Sequence, residues 1–212
     1  NESSKIAQVI QSVLKEGYKN IVVVDDGSKD TTFEVISKQP VHALRHVINR
    51  GQGAALKTGI DYGLEQGADV IVTFDADGQH QANEIRRLLD ALSGYDIVLG
   101  SRFLGRAQNI PTFKLLTLKA GILFTRMISN IKLTDVHNGF RAMNAKAART
   151  IEIKCDRMEH ASEIIDQIVH HRLRYREVPV TITYTDYSKG KGQSTWNFIR
   201  MGLRLVYQKF IR

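Results

Sequence analysis

The stretch that most constrains the fold is Val70-Ile71-Val72-Thr73-Phe74, which runs directly into Asp75-Ala76-Asp77-Gly78-Gln79-His80. A short apolar run rich in β-branched residues and ended by turn residues reads as a buried strand. Carboxylates at the C-terminal edge of such a strand lie where open α/β sheets bind ligands. Two carboxylates one residue apart repel each other unless a cation sits between them. Hard oxygen donors suit Mg²⁺ or Mn²⁺, which bind through one or two carboxylates together with substrate phosphates. The simpler reading is an Asp-rich turn that caps the next helix. For an isolated D-x-D the simpler reading is favoured, so the neighbouring segments must decide.

Those neighbours repeat the pattern. Residues 6–17 have helical spacing through Ile6, Val9, Ile10, Val13 and Leu14 and stop at Gly17. A strand over 20–24 ends in Asp25-Asp26-Gly27-Ser28-Lys29-Asp30-Thr31, a second acidic strand edge, and a helix is expected over 32–38. A strand over 41–47 leads to Asn49-Arg50-Gly51-Gln52-Gly53, a glycine-rich entry to a helix that reaches about Gln66. After the opening strand come a helix over 83–92 and a strand over 96–100 that ends in Ser101-Arg102. This alternation predicts an α/β fold, a mostly parallel sheet covered by helices. Farther on, a basic helix is expected over 112–130, then a polar turn through Asn138-Gly139-Phe140-Arg141 and a helix over 162–171. Two strands, 175–180 and 181–184, are expected with a break at Pro179. Next comes a basic loop with Lys189 and Lys191, and then an amphipathic helix over 196–211. A catalytic domain over 1–195 is thus followed by a basic helix over 196–212. That last helix reads equally well as docked on the core or as lying in a membrane interface.

Composition narrows the partners. The 212 residues suffice for one medium domain with a sizeable core. Cys155 is the only cysteine, so no disulfide can form within the chain and multi-cysteine zinc sites are excluded. The net charge of +8 points to a polyanionic partner: nucleic acid, an anionic membrane or a phosphorylated substrate. Basic residues are not interleaved with aromatics on one predicted face, which argues against nucleic acid. No uncharged run approaches the roughly 20 residues that would span a bilayer, so any membrane contact from these residues is expected to be peripheral.

The motifs occur in one order: Asn1-Glu2, Asp25-Asp26-Gly27-Ser28-x-Asp30-Thr31, Asn49-x-Gly51-x-Gly53-x-Ala55, Asp75-x-Asp77-Gly78-Gln79-His80, Gly100-Ser101-Arg102 and Asn138-Gly139-Phe140-Arg141. Together they resemble family 2 glycosyltransferases of the GT-A fold, and within these the polyprenyl-phosphate sugar transferases. The resemblance implies that Asn1-Glu2 closes a segment whose strand precedes Asn1. It implies nucleotide contacts from Asp25 and Asp26, donor contacts from Asn49, Gly51 and Ala76, and Mg²⁺ or Mn²⁺ held by Asp75, Asp77 and Gln79. It further assigns Arg102 and Arg141 to the phosphates and makes Lys189 and Lys191 part of a mobile loop over the diphosphate. His80 reads as a loop residue.

The activity so implied is inverting transfer of a sugar from a UDP- or GDP-sugar, with UDP favoured, to a polyprenyl phosphate at the cytoplasmic membrane face. A phosphate acceptor is already largely ionised and needs cations rather than a base. A hydroxyl acceptor would need a base, for which Asp135 and Glu163 are the candidates; simpler structural roles are favoured for both. A saccharide-extending transferase and, more remotely, a nucleotidyltransferase are the alternatives. A small membrane-protein partner and a homo-oligomer stay open.

Overall fold

The computed structural model describes residues 1–129 and 131–184. The alternation expected from sequence is present: α1 (Ile6–Lys15), β1 (Val22–Asp25), α2 (Thr32–Ile36), β2 (His42–Arg45), α3 (Gln52–Glu65), β3 (Val70–Thr73), α4 (Ile85–Ala91) and β4 (Ile97–Gln108). Then follow α5 (Thr112–Ser129), β5 (Arg141–Asn144), α6 (Ala145–Thr150), α7 (His160–His170) and β6 (Tyr175–Thr183). The helix over 196–211 and the loop carrying Lys189 and Lys191 lie outside the described residues.

The strands form two groups. β1 and β2 pair in parallel, and β3, β5, β4 and β6 form a four-stranded sheet in that order. β3, β4 and β6 run the same way, and β5 is reversed between β3 and β4. This reversed strand is what brings motifs from the second half of the chain to the ends of strands from the first half. Thr73 of β3 pairs with Arg141 of β5, which also pairs with Leu99 of β4.

The core falls into three clusters around these strands. Ile97, Leu99 and Met143 pack with Ile164, Ile165 and Ile168 of α7 on one side. Val98, Phe140 and Ala142 pack with Ile85 and Leu88 of α4 on the other. Ile6 and Ile10 of α1 cover β1 together with Ile36. Asp96, 3% exposed, joins three segments by accepting hydrogen bonds from the Arg174 backbone and guanidinium and from Asn144 Nδ2.

Three expectations are corrected. β4 continues past Ser101 to Gln108, because β6 supplies partners on both sides of an irregularity between Ser101 and Arg106. β6 is one strand rather than two. It lies at the sheet edge, where a proline's missing N–H is tolerated, and Pro179 falls where the irregularity begins. The helix α6 was not anticipated. It is a single short helix started by the Asn144 side chain, which accepts from Ala147 N at 2.8 Å.

The long helix α5 lies over the loop that enters β5. Gly121 faces His137, and a Cβ at Gly121 would stand 2.8 Å from His137 Cε1. Burial, opposed by Asp135 but reinforced by Arg102 and Arg141, holds the His137 imidazole down to about 4. Between pH 6.5 and about 4 the unfolded chain therefore carries a proton here that the folded chain refuses. Stability at this position falls as pH falls through that window. Urea denaturation of the wild type should lose about 2 kcal/mol more between pH 7 and pH 5 than a His137→Gln variant does. Parallel pH profiles would count against a neutral buried His137.

Candidate active site

The acidic ends of β1 and β3 open toward the same side of the molecule, and α3 starts between them. Asp26 is engaged on both oxygens. Its Oδ2 accepts from Gly51 N at 2.7 Å, and its Oδ1 pairs with His46 Nδ1 at 2.7 Å and accepts from Arg50 N at 3.0 Å. Burial pushes this carboxyl up, but the two backbone N–H groups and His46 outweigh burial and hold it below its ordinary value. Asn49 Nδ2 donates to the Asp26 carbonyl at 2.8 Å. Asp26, Asn49 and Gly51 thus come together as one rigid turn. Asp25 lies behind it, 3% exposed and paired with Arg45 at 3.4 Å, and its Oδ1 has no hydrogen-bond partner. Asn1 and Glu2 lie on the Asp25–Thr32 loop: Asn1 Oδ1 accepts from Lys29 N, and Glu2 N donates to Thr32 Oγ1.

Gln52, the first residue of α3, links the two acidic edges by donating from Nε2 to Asp75 Oδ1 at 3.1 Å. The second Asp75 oxygen meets His80 Nε2 at 3.1 Å. His80 is no loose loop residue. It is 9% exposed and packs its ring between Phe74 and Phe140, with centroids 5.4 and 5.0 Å away. Burial pushes the Asp75 carboxyl up, but His80, Arg141 and His160 together hold it below its ordinary value. Gly139 is required beside it, since a Cβ there would lie 2.6 Å from Asp75 Oδ2.

Asp77 is in the opposite state. Burial and the neighbouring Asp75 push its carboxyl up, and its Oδ1 accepts only a backbone bond, from Gln79 N at 3.0 Å. It is a carboxylate short of positive charge. Ala76 packs into the cluster under β1, and the Gln79 carbonyl accepts from Thr183 N. Among the described residues no three His, Cys, Asp or Glu side chains are arranged to hold a metal ion by themselves. Asp77, beside Asp75, could hold a hard divalent ion whose shell substrate oxygens would complete, and Gln79 is tied to Asp77 through its backbone N–H.

The two arginines are more deeply placed than their sequence roles suggest. Arg102 donates from Nε to Asp135 Oδ2 at 2.6 Å, from Nη1 to the Tyr184 hydroxyl and from Nη2 to the His137 carbonyl at 3.3 Å. Burial disfavours its charge, but Asp135 and Tyr184 more than offset this. Arg141 is 2% exposed and lies within the electrostatic reach of Asp75 and Asp135, and its Nη1 has no hydrogen-bond partner. Arg126 of α5 caps the Leu133 carbonyl. Lys189 and Lys191 lie outside the described residues.

The two carboxylates considered as a base are both occupied. Asp135 is bound by Arg102, and Glu163 Oε2 accepts from Lys154 N and Cys155 N. The residues that sequence reading missed are Gln52, His160, Tyr184 and Lys114. Gln52 is the variable position between Gly51 and Gly53, inside the glycine-rich motif itself. Lys114 had a usable signal, because it shares a helix face with the buried Leu118 four residues on.

Residues 1–151 match the glycosyl transferase family 2 model. An uncharacterized protein of Methanocaldococcus jannaschii is 38% identical over 99% of this chain and 88% of its own length. The UDP-N-acetylglucosamine–dolichyl-phosphate N-acetylglucosaminyltransferase of Methanococcus voltae is 32% identical over 98% of this chain and 90% of its own. The undecaprenyl-phosphate mannosyltransferase of Micrococcus luteus is 34% identical over 87% and 82%. Among solved structures, glucosyl-3-phosphoglycerate synthase of Mycobacterium tuberculosis with Mn²⁺ and UDP-glucose superposes with a TM-score of 0.68 at 14% identity, over 97% of this chain and 73% of that one. The mostly parallel sheet with its acidic strand ends is accordingly a GT-A fold, and the chain belongs to glycosyl transferase family 2.

Proposed function

We propose that the chain transfers a sugar from a nucleoside diphosphate sugar, with UDP as the favoured nucleotide, to the phosphate of a polyprenyl phosphate. The reaction inverts the anomeric carbon, needs Mg²⁺ or Mn²⁺ and takes place at the cytoplasmic face of the membrane. The observation that carries this reading is that Asp77 is left short of positive charge while both candidate bases are consumed by structural bonds. A site with phosphate-binding chemistry and no free base at those positions suits an acceptor that arrives already ionised. The names of the Methanococcus voltae and Micrococcus luteus relatives support a polyprenyl-type acceptor, and the first of them supports UDP.

In the reaction an acceptor phosphate oxygen forms a bond to the anomeric carbon. The bond from that carbon to the donor's β-phosphate breaks, and its electron pair leaves with the nucleoside diphosphate. No proton has to be removed. A divalent ion, when bound, offsets the charge that develops on the leaving diphosphate. Asp77 would hold it with Asp75 and Gln79. His80, Gln52 and the Arg141 charge keep Asp75 ionised and oriented. Asp26 holds the 49–51 turn in place by accepting from the Arg50 and Gly51 N–H groups.

Membrane contact is supported by the outer face of α5. Phe113, Leu116 and Leu123 are each at least 61% exposed and, with Ala120, recur at helical spacing. Lys119 borders this stripe, as expected for a helix resting on an anionic surface. No helix among the described residues is long and apolar enough to cross a membrane.

Purified protein should release nucleoside diphosphate and form a lipid-linked sugar when supplied with UDP-sugar, Mn²⁺ and undecaprenyl phosphate. Product formed only with soluble sugar acceptors would overturn the lipid reading, and release of pyrophosphate would indicate nucleotidyl transfer. Asp77→Ala should lower metal-dependent transfer by roughly a hundredfold or more, measured as product per minute at saturating donor. Gly139→Ala should displace Asp75 and lower the same rate by about tenfold; an unchanged rate would show that the position of Asp75 is immaterial.

A further inference from the structure

Three basic side chains belong to this site, and they differ in what engages them. Arg102 spends its guanidinium on Asp135, Tyr184 and the His137 carbonyl. Arg141 is 2% exposed, behind Asp75. The third is Lys114, in the first turn of α5. Its Nζ lies 4.7 Å from the centre of the Tyr184 ring, and it is within the electrostatic reach of both Arg102 and Asp77. Apart from that ring contact it makes no ion pair or hydrogen bond among the described residues. Phe113 and Leu116 point outward from the same turns, whereas Lys114 shares its face with Leu118, which is 4% exposed.

A half-buried ammonium beside a buried arginine is unfavourable unless an anion joins them. Burial and Arg102 accordingly depress Lys114, and Asp77 only partly offsets this. Asp77 is the carboxylate left for the divalent ion, so its charge is directed toward that ion rather than toward Lys114. The aromatic ring fixes the direction of the lysine stem, and a lysine supplies a compact point charge that suits a single phosphate oxygen.

We propose that Lys114 is a phosphate-binding residue of this site, holding a phosphate oxygen between Tyr184 and Asp77 during transfer. This rests on the glycosyl-transfer reading above. The phosphate belongs either to the nucleoside diphosphate or to the lipid acceptor, and two binding measurements separate these sources. In the first, UDP with Mn²⁺ is titrated calorimetrically into the full chain as wild type, Lys114→Gln and Lys114→Arg. In the second, the same proteins are bound to phosphatidylcholine vesicles with and without undecaprenyl phosphate, and the extra binding conferred by the doped lipid is read.

Lys114→Gln should weaken one or both by roughly tenfold or more, with Lys114→Arg retaining most of the lost affinity and all three proteins melting at the same temperature. If only UDP binding moves, the residue serves the donor. If only lipid-dependent binding moves, it serves the acceptor. Wild-type-like binding of both probes by Lys114→Gln overturns the assignment. So does an equal loss in Lys114→Gln and Lys114→Arg that tracks a lowered melting temperature. A wild-type chain that binds neither probe overturns the functional reading itself, which distinguishes that failure from failure of Lys114 alone.

Discussion

Two carboxylates one residue apart at a strand end cannot both be ionised at low cost, and much of the molecule is arranged around that repulsion. The solution is asymmetric. Asp75 is kept ionised by the protein: His80 and Gln52 take its two oxygens, with Arg141 and His160 close by. Asp77 receives one backbone N–H and the unfavourable charge of its neighbour. The protein settles one half of the pair in advance, and under the proposed function the other half is left to a divalent cation. This keeps the site from collapsing into an internal salt bridge, which would compete with the ligand.

The asymmetry depends on β5. A parallel strand between β3 and β4 would carry its C-terminal end to the site. The reversed strand instead brings its start, so that Arg141 pairs with Thr73 and Gly139 abuts Asp75. The loop entering β5 must then be fixed independently. Glu177 of β6 accepts from the Thr134 backbone and hydroxyl and from Asp135 N, and Asp135 in turn binds Arg102 of β4. Buried charges of this kind contribute little net stability but specify one arrangement, since breaking either partner leaves an uncompensated ion.

The order of elements was legible because hydrophobic spacing and strand-ending carboxylates are local signals. The structure brings the acidic ends of β1 and β3 together through the start of α3. What was not legible were the features that depend on three-dimensional partners. The length of β4 is set by β6, and the continuity of β6 through Pro179 is set by its place at the sheet edge. Arg102 and Arg141 look in sequence like arginines reaching for substrate. Their burial follows from which strand lies on which, and that is a property of topology. His80 was undervalued for the same reason: nothing local reveals that Phe74 and Phe140 form a slot for its ring.

The basic surplus takes on a different meaning in this light. Taken as a total, +8 suggests a polyanion bound over a broad surface. Among the described residues, however, Arg45, Arg50, Arg86, Arg87, Arg102 and Arg174 are all ion-paired within the chain. The planar guanidinium fork suits fixed internal carboxylates. Lys57 and Lys154 are ion-paired as well, whereas a lysine without such a carboxylate carries a mobile point charge suited to an entering phosphate. Lys114 is the inward-facing case, on the same helix that turns Phe113 and Leu116 outward. Under the proposed function a polyprenyl phosphate has the same division, an apolar chain joined to a compact anion, to set beside the outward apolar stripe and inward lysine of α5.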